Sequence, residues 1–261
     1  DYSYSESDED RAPNYVITPT GARANRLFIV GVLTETEQVS DDVLRARVVD
    51  PTGAFVLYAG QYQPDEQAFL ERAEPPMFVA VTGKARTFVP DDSEQVFTSI
   101  RPESISEVDS ETRDRWVVET AEQTLYRLRW MTTALTLDTD RIRTELASRG
   151  VDDGLAHGIE LALEHYGTTP AYLDAVRETA LDTLRVVAGE QDEIEERTTT
   201  PDESGGLTAA ALLQRLPELA RRDTQRGADT AVDSPAVEAD TDTEATAAES
   251  DSTAGESTAV S

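Results

Sequence analysis

Cations and aromatic rings recur at strand spacing in the first hundred residues of this chain. Arg45 and Arg47 alternate with Leu44, Ala46 and Val48, and Tyr58 and Tyr62 follow within fifteen residues. Lys84, Arg86 and Phe88 alternate again in a run without acids, and Phe97 and Arg101 share one side of the next β-rich run. Guanidinium and ammonium groups bind phosphate oxygens, and rings stack on unpaired bases. The chemistry on offer is therefore a grip on single-stranded nucleic acid. Each group also has a plainer reading. Arg45 and Arg47 could be a solvated strand face, Tyr58 and Tyr62 could pack a rim, Arg101 could pair with Glu103, and Phe97 could be core.

Catalytic chemistry is poorly represented. Lys84 follows Gly83, but no phosphate-loop glycine precedes it at the required spacing, and Ala85 stands where Ser or Thr is needed. The run Pro90-Asp-Asp-Ser-Glu-Gln95 resembles a metal-dependent nuclease motif without its lysine. His157 and His165 lie on a helical stretch with no flanking nucleophile, and cysteine is absent, which excludes disulfides, zinc ribbons and thiol catalysis. We expect no enzyme, no cofactor, no metal and no small-molecule substrate.

The binding residues need strands to hold them. Leu44–Tyr58 reads as a hairpin around Asp50-Pro51-Thr52-Gly53, with Asp, Pro and Gly at the positions a tight turn favours. If Val49 pairs with Ala54, then Arg45 faces Tyr58 and Arg47 faces Val56 on the outer side, while Leu44, Ala46 and Val48 point into a core. Leu27–Leu33 reads as a buried strand in which Gly31 marks a bulge or a close backbone approach. Thr34–Asp42 reads as a polar connection. Gln63–Ala73 is a short helix docked by Phe69 and Leu70, Met77–Val89 a strand with Val79 and Val81 inward, Pro90–Gln95 a turn, and Val96–Ile105 a last strand. Three strands, a helix and two strands is the order of the five-stranded OB barrel, which binds oligonucleotides across its second and third strands and the adjoining loops.

Composition sets the electrostatic frame. The 261 residues carry a net charge of −29, and Lys84 is the only lysine beside 22 arginines. Abundant carboxylates with almost no lysine suit a salt-rich cytoplasm, where salt screens their repulsion. Between Arg11 and Pro90 there are eight cations and nine acids, so that segment is nearly neutral. Mean hydropathy is −0.46, and no apolar run approaches the ~20 residues of a membrane helix. We expect a cytoplasmic protein without a membrane partner. The chain begins at Asp1, so a native N-terminal piece is expected to be missing.

From Ser110 the apolar period becomes helical. Val117, Ala121, Leu125, Leu128 and Leu135 form one stripe. A second helical region runs from Arg141 to Tyr166, and Thr169-Pro170 caps a third with Leu173, Val176, Ala180, Leu184 and Val187. Arg113, Arg115, Arg127 and Arg129 read as helix-surface charges facing Glu119 and Glu122. The expected division is a frayed acidic terminus at 1–10, an OB-fold domain at 11–109, a helical region at 110–190 and a disordered acidic tail at 191–261. Within the tail, Leu207–Leu219 could fold on a partner. The fold class is α+β.

The runs Arg11-Ala-Pro-Asn-Tyr15, Pro19-Thr-Gly-Ala-Arg-Ala-Asn-Arg26, Val30-Gly-Val-Leu-Thr-Glu35, Arg47-Val-Val-Asp-Pro-Thr-Gly53, Tyr58-Ala-Gly-Gln-Tyr-Gln-Pro64 and Ser99-Ile-Arg-Pro-Glu-Ser104 resemble the haloarchaeal replication protein A-associated proteins over roughly Asp10–Gly189. The resemblance implies an OB-fold protein working beside a replication protein A subunit in DNA replication and repair, with no catalysis and no metal. It also implies a further N-terminal segment that is absent here. The candidate contacts to single-stranded DNA are Arg45, Arg47, Tyr58, Tyr62, Lys84, Arg86, Phe88 and Arg101. The competing expectation is an adaptor that holds the replication protein A subunit and never touches DNA.

Overall fold

A computed structural model describes residues 2–5, 14–88 and 97–216. Strand β4 (Arg26–Ser40), β5 (Val43–Asp50), β6 (Gly53–Gly60), β7 (Met77–Phe88) and β8 (Phe97–Glu107) close a barrel in the order β4-β5-β6-β8-β7, with α1 (Pro64–Arg72) between β6 and β7. The β6–β8 contact, Leu57 beside Ile100, is parallel and every other pairing is antiparallel. This is the OB arrangement.

Alternation fills the interior. Leu33, Leu44, Ala46, Val48, Leu57, Val79, Val81 and Ile100 are all buried in one cluster, and α1 plugs it with Leu70. Helix α1 begins at Pro64, which needs no amide partner at a first turn, and carries Asp65 and Glu66 there. The hairpin turn is held by Asp50, whose Oδ1 accepts from the Thr52 and Gly53 amides at 2.7 and 3.0 Å. Its register pairs Val49 with Ala54, Arg47 with Val56 and Arg45 with Tyr58, as the turn residues require. At Gly31 a Cβ would come within 2.6 Å of the Val49 carbonyl oxygen, so this glycine serves a close approach of β4 to β5.

Strand β4 runs well past its expected end at Leu33. Glu35, Thr36, Glu37 and Gln38 pair with Arg47, Ala46, Arg45 and Leu44 after an irregularity next to Leu33. A ladder between backbones needs no apolar side chains once the strand has left the core, so hydrophobic pattern alone ended it too early.

The helices build a second core. Helix α2 (Ser110–Ala134) is capped by Asp109, which accepts from the Thr112 amide at 2.8 Å, and buries the expected stripe from Val117 to Leu128 together with Met131. Leu135 is its C-cap rather than its last turn. The second helical region is two helices, α3 (Ile142–Ser148) and α4 (Asp153–Tyr166), broken where Gly150 takes a φ of 86°. Helix α5 (Pro170–Val187) starts at the Thr169 cap. Of the arginines read as helix-surface charges, Arg115 pairs with Glu111, Arg113 pairs with Asp114 and lies over the Phe78 ring, and Arg127 faces a cavity between α2 and α5.

Two boundaries differ from expectation. Within the segment expected to fray, β1 (Tyr2–Ser5) pairs with β2 (Asn14–Ile17), which pairs with β3 (Arg23–Ala24). Ile17 of this small sheet is buried in the helical core, and the Tyr166 hydroxyl donates to its carbonyl at 2.7 Å. Residues 14–24 therefore pack with the helices, where Ile17 is buried and Tyr15 lies against the same core. At the other end, order continues beyond 190. Helix α6 (Ala209–Arg215) buries Leu212 and Leu216 against the helical core, so the amphipathic segment folds on its own chain. The remainder of the expected tail, 217–261, lies outside the described residues. Barrel and helices belong to one compact unit, residues 1–219. Leu212→Ala is expected to destabilise that unit by about 2–4 kcal/mol, as a fully buried leucine does. Urea unfolding followed by circular dichroism checks this; a change below half a kilocalorie would detach α6 from the fold.

Candidate nucleic-acid interface

The hairpin and the closing strands bring the candidate side chains to the outside of the barrel. Tyr58, Tyr62, Arg86 and Arg101 line a single concavity of about 310 Å3, floored by Val43, Ala59 and Ile100. Tyr62, Arg86 and Arg101 continue into an adjoining polar concavity of about 350 Å3 that adds Lys84. The Arg101 guanidinium lies over the Tyr62 ring, 5.6 Å from its centroid, which orients both groups. Among the described residues Arg86 and Arg101 make no ion pair, so their charge is open to a ligand.

One step along the β7–β8 ladder, Phe88 pairs directly with Phe97 and Arg86 with Ser99. Phe88 is 64% and Phe97 48% exposed, and Tyr58 and Tyr62 are 41% and 75% exposed. Four rings open to water on one side of a barrel are unusual for a surface that only faces solvent. Phe97 is thus not core. Alternation with Ile100 already placed it outward beside Arg101, and its pairing with Phe88 adds it to the ring set.

The other candidates stand differently. Arg45 lies beside Tyr58 in register, but its Nη1 is 3.1 Å from Glu37 and 3.9 Å from Glu35 on the extension of β4. Arg47 faces Val56, towards the hairpin turn and outside both concavities. Lys84 is 3.8 Å from Glu103, which also receives Nε and Nη2 of Arg26. Glu103 is the extra residue of a bulge. Pro102 pairs with Gly83 and Ser104 with Thr82, leaving Glu103 between them to swing towards Arg26 and Lys84. The hydrogen bond from Arg26 holds its carboxyl below the usual range, so the bridge persists at neutral pH. The sequence offered Arg101 as the partner of Glu103; the bulge hands that carboxylate to two other cations.

Neutralising Glu103 is expected to strengthen binding. Glu103→Gln releases Arg26 and Lys84, and the slope of log affinity against log salt should steepen by about one contact per released cation. Anisotropy titrations from low to molar KCl check this. An unchanged slope would remove Lys84 from the interface.

Helix α2 covers a different part of the barrel. Phe28 of β4 stacks edge-on against Trp116 at 4.5 Å, and Val30 is buried beneath the same helix. The face bearing Tyr58, Arg86 and Phe88 stays uncovered by the described helices. Among the described residues no group of three or more His, Asp and Glu could hold a metal ion, and no helix is long and apolar enough to cross a membrane. His157 and His165 pack edge-on against Tyr4 and Tyr166.

No protein-family model matches the chain, and no curated protein matches it by sequence. Solved structures that resemble it include the OBody NL8 bound to hen egg-white lysozyme, 15% identical with a TM-score of 0.28 over 33% of this chain and 94% of that one. The mitochondrial single-stranded DNA binding protein Rim1 of S. cerevisiae is 20% identical with a TM-score of 0.28, over 33% of this chain and 95% of Rim1. A chain of a replication protein A heterotrimer bound to single-stranded DNA is 14% identical with a TM-score of 0.29, over 42% of this chain and 75% of its own. At these values the OB assignment rests on the strand order and closure described above.

Proposed function

We propose that this chain binds single-stranded DNA on the outer face of its barrel, as an accessory to a replication protein A subunit in DNA replication and repair. The observation that carries the reading is the convergence of Tyr58, Tyr62, Arg86 and Arg101 on one uncovered concavity, with the Phe88–Phe97 pair beside it. Bases stack on the rings, and Arg86 and Arg101 meet phosphates. In the salt-rich cytoplasm that the composition suits, stacking carries more of the affinity than charge, because counterion release fades with salt while base stacking does not depend on it. The assignment to the replication protein A system rests on the resemblance of the sequence runs, and the role is binding rather than catalysis.

A second reading is favoured by one observation. Arg45 and Lys84 already face carboxylates, which leaves few unpaired cations for phosphate and suits an adaptor that holds the partner subunit. Anisotropy of a labelled single-stranded oligonucleotide with the purified chain, then with replication protein A subunit added, separates the two. Weak binding alone that strengthens in the mixture supports the first reading. Binding that the subunit alone accounts for supports the adaptor.

A further inference from the structure

A second cavity, of about 280 Å3, shares no residue with the candidate interface. It lies between α2 and α5, with Val30 of β4 and the hairpin turn also lining it. The larger part of its surface is apolar, from Val30, Trp116, Val117, Tyr172 and Val176 among others, and seven threonines, Thr124 among them, also line it. Two charged residues line it. Asp50 is occupied by its own turn, where Oδ1 accepts from the Thr52 amide, the Thr52 hydroxyl and the Gly53 amide.

Arg127 has no such engagement. Among the described residues its hydrogen bond is donated by Nη2 to the Thr124 hydroxyl at 3.0 Å, its Nε is buried without a partner, and no carboxylate pairs with it. Burial pushes the guanidinium pKa down. Arg127 is partly buried, a cation withdrawn from water without a counterion is costly, and the unsatisfied buried Nε donor calls for a ligand or water. Apolar walls with a few convergent polar groups are the usual make-up of a small-molecule site, and this volume lies just under the common range of about 300–1,000 Å3.

We propose that this cavity binds a small amphipathic carboxylate, its head on Arg127 and Thr124 and its apolar body against Val30, Val117, Trp116 and Val176. An inorganic anion would leave those walls without contacts, and a neutral apolar molecule would leave the guanidinium unanswered. The site shares no residue with the face proposed to bind DNA.

Trp116 lines the cavity, so a chain carrying Trp130→Phe reports occupancy through its remaining tryptophan. Hexanoate, hexanol and acetate are titrated separately into this full-length protein, with thermal melting as a second readout. Hexanoate is expected to bind about tenfold or more tighter than either control, the worth of one charge-assisted hydrogen bond. Arg127→Met should melt no lower than its parent without ligand and should lose the preference for hexanoate over hexanol, because apolar replacement of an unpaired buried ion is often neutral or stabilising. Thr124→Val provides a second variant, with a several-fold loss expected. Equal binding of hexanoate and hexanol by the parent, no response to hexanoate, or undiminished hexanoate affinity in either variant would overturn the site.

Discussion

In molar KCl, Phe88→Ala is expected to weaken binding of a short single-stranded oligonucleotide by about tenfold or more, and Arg86→Ala to weaken it far less. A base stacked on a ring is worth about 1–3 kcal/mol, and the Phe88 ring is 64% exposed beside that of Phe97. Arg86 has no partner among the described residues and is open to phosphate. At 1 M salt, however, the screening length is about 3 Å, and the release of counterions no longer favours binding. The order should reverse at low salt, where Arg86→Ala becomes the more damaging change. Anisotropy at both salt concentrations checks the pair of orders. A larger loss for Arg86→Ala in molar KCl would contradict the stacking account.

Gly83→Val is expected to cost about 3 kcal/mol or more of stability, at the upper end of ordinary substitutions. A Cβ at Gly83 would lie 2.5 Å from the Arg101 carbonyl oxygen and 2.5 Å from Ile100 Cγ2. Neither can retreat easily. The carbonyl belongs to the β8 backbone, and Ile100 is buried in the barrel core beside Leu57. Valine would wedge β7 from β8 at the step that sets Lys84 against Arg101 and Arg86 against Ser99. Urea unfolding measures the stability loss, and the variant should also bind DNA poorly wherever it remains folded. Wild-type stability in this variant would contradict the β7–β8 register on which the site is built.

The barrel could be read from the chain because its strands alternate and the turn between β5 and β6 is written in Asp50, Pro51 and Gly53. Those residues set the register that places Arg45 beside Tyr58. What escaped the sequence depended on pairings that no local pattern records. The bulge at Glu103 turns that carboxylate away from Arg101 and towards Arg26 and Lys84, a choice made by the register of β8. Polar residues from Glu35 to Gln38 form a strand because β5 supplies their backbone partners, and Glu37 thereby reaches Arg45. Arg127 sits at a spacing that reads as helix surface, yet α5 and the hairpin turn close over that side of α2. Ile17, within a stretch punctuated by Pro and Gly, found a core contributed by helices more than a hundred residues away.

Photo-crosslinking of a single-stranded oligonucleotide carrying a photoreactive pyrimidine, followed by mass spectrometry of the joined peptides, tests the central claim most directly. Crosslinks are expected at Tyr58, Tyr62, Phe88 and Phe97, and at none of the helices from Ser110 onward. Crosslinks confined to α2–α5, or none at a concentration where the oligonucleotide is bound, would show that the barrel face is not where DNA lies.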